Sequence, residues 1–157
     1  MKKLLLTSSF LAIIGGFVLV GGGVWGVAFT YINVARENIT TPDDASIPGV
    51  LVRGPLTLKA QADIIRVHTL RRTGGKTFAE MPQQIPKLDV EGKSILDEDG
   101  KPATTANTAR DIWITATTLI TALNLGIVTY AFAGLILLFG LISIWTGVTF
   151  YALSRKY

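Results

Sequence analysis

The sequence predicts a membrane α-helical hairpin: two transmembrane helices with both termini inside, joined by a small mixed α+β extracytoplasmic segment. Three observations predict it. No charged residue occurs from Leu4 to Val34, nor from Ile112 to Ser154, and about 20 apolar residues suffice for a helix to cross a bilayer. Lys2 and Lys3 precede the first run and Arg155 and Lys156 follow the second; basic flanks mark cytoplasmic ends. The remaining 11 basic residues lie between Arg36 and Asp111, where they balance all 11 acidic ones, so the formal net charge of +4 resides at the two tips. The chain divides into a first span with a short cytoplasmic tip (1–33), an outer segment (34–111) and a long helix that protrudes outward, forms the second span and ends in a cytoplasmic tip (112–157).

The first run opens with MKKLLL, a fair leader of a secretory signal, and Gly26-Val27-Ala28 offers a cleavage site. A signal h-region is about 7–15 residues long, and this run is far longer, so a retained anchor is expected. The stretch GGFVLVGGGVWG (Gly15–Gly26) holds six glycines, although glycine costs roughly 1 kcal/mol against alanine in a helix in water. Ser9, Gly16, Gly23 and Thr30 recur every seven residues, as do Gly126, Ala133, Gly140 and Gly147 in the second run. Burial in lipid gives apolar helices no drive to pair, and small residues that admit close backbone approach supply it instead. A seven-residue period specifies a left-handed crossing. In an antiparallel hairpin one register sets Ser9 against Gly147, Gly16 against Gly140, Gly23 against Ala133 and Thr30 against Gly126. These eight residues are the predicted helix–helix seam.

Trp145 and Tyr151 suit the inner membrane interface, and Trp25, Tyr31 and Tyr130 the outer one. Counting about 20 residues back from Arg155 reaches Tyr130, which leaves Ile112–Thr129 outside the membrane. Thr108-Ala-Arg-Asp111 reads as a capping box at the start of that helix, with Asp in place of Glu or Gln. Asn124 and Thr129 read as ordinary helix–helix hydrogen bonders.

In the outer segment, NITTPDDASIPG (Asn38–Gly49) is turn chemistry. LTLKAQADIIRVHTLRR (Leu56–Arg72) predicts an amphipathic helix with Leu58, Ala62, Ile65 and Thr69 in line, stopped by Gly74-Gly75. Thr77-Phe-Ala-Glu80 is a capping box for a short second helix. KLDVEGKSILDEDGK (Lys87–Lys101) carries Glu-Gly and Asp-Gly turns between short apolar runs and predicts one or two β-hairpins. No internal repeat is expected.

The stretch GPLTLKAQADIIRVHTLRRTGGKTFAEMP (Gly54–Pro82), with DIWITATTLITALNLG (Asp111–Gly126), resembles a family of small actinobacterial two-span membrane proteins often labelled aromatic ring-opening dioxygenases. The resemblance covers most of the chain, both spans included; Lys87–Ala103 is a piece that some members lack. It implies the hairpin fold and an actinobacterial envelope, and it implies no established activity; the two spans place the chain in the plasma membrane.

The residues do not support the dioxygenase label. Such enzymes hold non-haem iron with two histidines and a carboxylate, and this chain has one histidine, His68, and no cysteine. No nucleophile elbow, EF-hand or phosphate loop is present: Gly74-Gly75-Lys76-Thr77 lacks the first glycine, and Asp97, Asp99 and Gly100 read as a turn. No ionisable residue lies within either span to mark an ion path, and no basic surface marks a nucleic-acid partner. No catalytic, cofactor or metal site is expected. What remains is a non-catalytic membrane protein with the bilayer and other membrane subunits as partners: an accessory or assembly subunit of a larger complex. Actinobacterial cytochrome bcc–oxidase supercomplexes contain small accessory spans of this sort. The alternative is an extracytoplasmic lipid- or small-molecule-binding protein, with a pocket lined by Ile64, Ile65, Phe78 and Ile120.

Overall fold

The computed structural model describes residues 1–156. Two long antiparallel helices dominate it: α1 (Lys2–Arg36) and α3 (Thr108–Ser154), roughly 50 and 70 Å long at 1.5 Å per residue. Both carry an uncharged stretch long and apolar enough to cross a membrane. Between them come α2 (Pro55–Arg72), a 3₁₀ turn (Phe78–Glu80), and the antiparallel strands β1 (Gln84–Pro86) and β2 (Thr104–Ala106). Helix α1 continues through Arg36, and α3 is one unbroken helix that absorbs the whole of Ile112–Thr129.

The start of α3 differs from expectation. Asn107, not Thr108, is its N-cap, accepting from the Ala109 N–H at 3.2 Å. The same side chain donates to the Pro82 carbonyl at 2.9 Å, and the Asn107 N–H donates to Gln83. A tertiary contact invisible in local sequence therefore chose the cap.

Helix α2 opens with Gly54 as N-cap and Pro55 in the first turn, where the missing N–H costs nothing. Thr57 Oγ1 accepts from the Arg53 and Gly54 N–H groups. The helix ends as Gly74-Gly75 demand. Both have positive φ (63° and 78°), and their N–H groups return to Arg71 and Leu70, the paired bonds of a Schellman cap. Leu58, Ala62 and Thr69 are buried, and Ile65 is half-buried. Ala60 and Ile64 are buried too, on the helix face that His68 and Arg71 continue. Leu58, Ala62, Val52 and Leu123 form the core of the unit built on α2, with Val34, Ile120, Ile127 and Tyr130 packed around it. Tyr130 donates to the Arg53 carbonyl at 2.6 Å and Arg53 reaches the Tyr31 hydroxyl, so these two tyrosines pin the entry to α2.

Beyond β1 the chain does contain an internal repeat. Leu88-Asp-Val-Glu-Gly-Lys-Ser-Ile95 and Leu96-Asp-Glu-Asp-Gly-Lys-Pro-Ala103 are two eight-residue copies. Their period is short, and Val90 against Glu98 and Ser94 against Pro102 blur it. Each builds the same turn. Asp89 Oδ1 accepts from the Glu91 and Lys93 N–H groups, and Asp97 Oδ1 accepts from Asp99 and Lys101. Gly92 and Gly100 supply the positive φ at equivalent places. The copies close on β1 and β2 through a ring: Ile95 N–H donates to Lys87, Ala103 to Ile95 and Lys87 to Ala103. The result is a three-leaved junction of two tiny hairpins and one β stem.

Candidate docking and binding surfaces

Ser9, Gly16, Gly23 and Thr30 are the buried residues of α1, and Ala133, Gly140 and Gly147 are buried in α3. The structure brings three of the four expected pairs together. A Cβ built on Gly16 would stand 2.7 Å from the Gly140 oxygen, and one on Gly140 2.9 Å from the Gly16 oxygen. On Gly23 it would meet the Ala133 oxygen at 3.0 Å, and on Gly147 the Ser9 oxygen at 2.8 Å. Ser9 Oγ donates across to Gly147 at 2.8 Å, and Ser143 Oγ to Ala12 at 2.8 Å.

Two further contacts were not anticipated. Ser143 sits beside the seam, and Ser154, one repeat beyond Gly147, is buried. The spacing of Ser154 could have found it; nothing in the seven-residue pattern marks Ser143. Gly15, Gly21 and Gly22 have open space around them, so only part of the glycine crowd serves the contact.

The fourth pair keeps the register but not the close backbone approach: Val34 stands to Gly126 as Val20 does to Gly140 and Ile13 to Gly147, only farther off, and Thr30 is still buried. The nearest neighbours of a Cβ on Gly126 are Leu58, at 3.1 Å, and Val34. Thr30 turns its hydroxyl back to Gly26 at 2.9 Å. Leu58 of α2, fully buried, occupies the space beside Gly126. Likewise Thr129 bonds back to Leu125 within its own helix, and Asn124 is exposed, so neither bridges the helices.

Above this point three clefts open. One of about 530 Å³ lies where the end of α1 meets α2 and α3, with Val34, Ile39, Leu58, Ile65, Leu119 and Leu123 among its walls. Its polar groups are Asn33, Glu37 and Gln61, and Gln61 Oε1 is buried without a hydrogen-bond partner. A second, of about 650 Å³, runs along α3 past Phe78, Trp113, Ile114, Thr118 and Thr121. A third, of about 480 Å³, lies between α2 and α3 beside His68, Arg72 and Asp111. The four residues expected to share a pocket are scattered: Ile64 is buried in α2, Ile120 packs on the core, and Ile65 and Phe78 line different clefts.

His68 Nε2 lies 2.8 Å from Asp44 Oδ2, and Arg71 reaches the same oxygen at 3.3 Å. This partner is 24 residues away, beyond any local pattern. Among the described residues no three His, Cys, Asp or Glu side chains gather as metal ligands, and with His68 committed to Asp44 the donor set does not fit a two-histidine iron site.

The Asp44 carboxyl is held below its ordinary value of 3.8, chiefly by the hydrogen bond from His68. A lowered carboxylate contributes stability that is complete above its unfolded pKa and is lost as pH falls through the folded one. The loop that Asp44 ties to α2 is therefore expected to loosen only below about pH 3.8. Amide exchange over residues 41–52 checks this: protection that first fails near neutral pH would contradict it, and Asp44→Asn should remove the acid-dependent step.

The chain matches no protein-family profile, no curated protein and no solved structure.

Proposed function

We propose that this chain is a non-catalytic integral protein of the plasma membrane, both termini cytoplasmic, that serves as an accessory or assembly subunit of a larger membrane complex. Membrane insertion is supported by the shell of large apolar side chains left outside the α1–α3 contact. Phe10, Leu11, Phe17 and Trp25 of α1 and Phe132, Phe139, Leu141 and Trp145 of α3 are all more than half exposed. A soluble monomer rarely leaves contiguous apolar patches beyond a few hundred Å² in water, and lipid covers such a surface without cost. The basic residues at both tips support the orientation.

One observation carries the docking role. The cleft past Phe78, Trp113, Ile114 and Thr118 lies beyond the Leu58–Gly126 contact, on the part of α3 that the proposed topology leaves outside the bilayer. There lipid cannot cover it, yet Ile114 is 54% exposed and Phe78 39%. An apolar face with a threonine rim is suited to a protein partner. The family resemblance makes the respiratory bcc–oxidase supercomplex the first complex to test.

Because the chain has no cysteine, one experiment addresses orientation and docking together. Thr118→Cys should react with a membrane-impermeant crosslinker in intact spheroplasts and trap a specific neighbour, while Lys156→Cys should react only after lysis. Labelling of Lys156→Cys from outside defeats the orientation. A Thr118→Cys variant that labels but traps no membrane subunit defeats the docking role.

A further inference from the structure

The cleft at the outer end of the hairpin has a chemical asymmetry that its packing does not use. Its walls are apolar except for Asn33, Glu37 and Gln61. Asn33 uses its amide nitrogen to donate to Phe29 within α1 at 2.8 Å; its Oδ1, the Gln61 carbonyl and the Glu37 carboxylate are acceptors among the lining side chains. Gln61 Oε1 is buried with no donor. Leaving a buried acceptor without a donor is unfavourable, and buried polar groups are paired in the great majority of cases. Glu37 takes part in none of the ion pairs formed among the described residues. An apolar cleft with an unpaired carbonyl oxygen buried in its wall and a carboxylate outside any ion pair among its lining residues favours a ligand that brings N–H donors and positive charge on an apolar body.

The position of the cleft selects the source. Leu58, which forms part of its wall, touches Gly126 just above the α1–α3 seam, and Val34 lies on the last turn of α1. On the proposed topology, on which this inference rests, that is the level of the outer lipid headgroups. The volume of about 530 Å³ lies within the roughly 300–1,000 Å³ of small-molecule sites. We propose that this cleft binds the head of a primary-amine phospholipid, the Gln61 side chain turning out of the wall so that Oε1 accepts from its ammonium beside the Glu37 carboxylate, while its acyl chains lie along the apolar flanks of the hairpin below.

Phosphatidylethanolamine and phosphatidylcholine with identical chains separate the idea cleanly, because both carry the phosphate and a positive nitrogen but only the first has N–H donors. Purified protein in mild detergent is titrated with each, and bound lipid is counted by native mass spectrometry. Wild type should favour the ethanolamine lipid by about tenfold, the factor that one charge-assisted hydrogen bond carries. Gln61→Leu should bind the two lipids equally and melt no lower than wild type, since it removes an unpaired acceptor. Gln61→Glu, which keeps an acceptor, should retain the preference. Equal binding by wild type, or a preference that survives Gln61→Leu, overturns the proposal. Extraction of the chain from membranes by alkaline carbonate would instead overturn the membrane reading itself; a chain that resists carbonate yet shows no preference refutes only the lipid site.

Discussion

Gly140→Leu is expected to drive α1 and α3 apart. At Gly140 the first side-chain carbon alone would lie 2.8 Å from the Val20 nitrogen and 2.9 Å from the Gly16 oxygen. Both neighbours are helix backbone, which cannot turn aside as a side chain can. The clash is relieved only by separating the helices, and every contact along the seam weakens together, including the Ser9–Gly147 and Ser143–Ala12 hydrogen bonds. Overpacking of this kind costs about 1–3 kcal/mol where the surroundings can yield; here a loss of about 3 kcal/mol is expected, with a measurable widening between spin labels at Lys3 and Arg155. Gly22→Leu is the matched control, since a Cβ there meets nothing within 4 Å. An unchanged label distance and melting point in Gly140→Leu would show that the glycine contact does not hold the hairpin.

Trp113→Ala is expected to release the far end of α2 from α3. Trp113 is 5% exposed, and its indole N–H donates to the Lys76 carbonyl at 2.8 Å and to Thr73 Oγ1 at 3.2 Å. Thr73 itself closes α2, bonding to Thr69 and Lys76, so one ring holds the cap of α2 against α3. Removing a buried tryptophan costs about 3–5 kcal/mol. Trp113→Phe, which keeps most of the ring but loses the N–H, should cost about 1 kcal/mol. Hydrogen exchange over residues 64–73 reads the effect; full protection there in Trp113→Ala would mean that α2 is held by its Leu58 end alone.

Features set by a single helix face were legible in the sequence. The seven-residue recurrence of Ser9, Gly16 and Gly23 places them on one line of one helix whatever else the chain does, and the matching line at Gly147, Gly140 and Ala133 leaves little freedom of register. The stop at Gly74-Gly75 was legible for a similar reason: a positive φ is a local demand. Legibility failed where a third element intervened. Thr30 and Gly126 continue both lines, but Leu58 from α2 occupies the space beside Gly126. His68 pairs with Asp44 across 24 residues, and Asn107 becomes a cap because Pro82 and Gln83 return beside it. The clefts are the extreme case. Each is a space left between elements, and residues chosen for their apolar character alone, such as Ile64 and Ile120, fill the core instead of lining a cavity.

The continuity of α3 has a mechanical meaning. From Gly126 to Thr108 the helix runs on without a break, a rod of roughly 27 Å at 1.5 Å per residue. The unit built on α2 is clamped to that rod at both ends, by Leu58 near its base and by Trp113 near its tip. On the proposed topology, with no hinge between the two portions, this unit cannot swivel freely above the bilayer. Any change in the inclination of the second span is carried to the tip as a lever carries it: a change of about 20°, the ordinary scale of helix tilt, sweeps the Thr108 end sideways by roughly 9 Å.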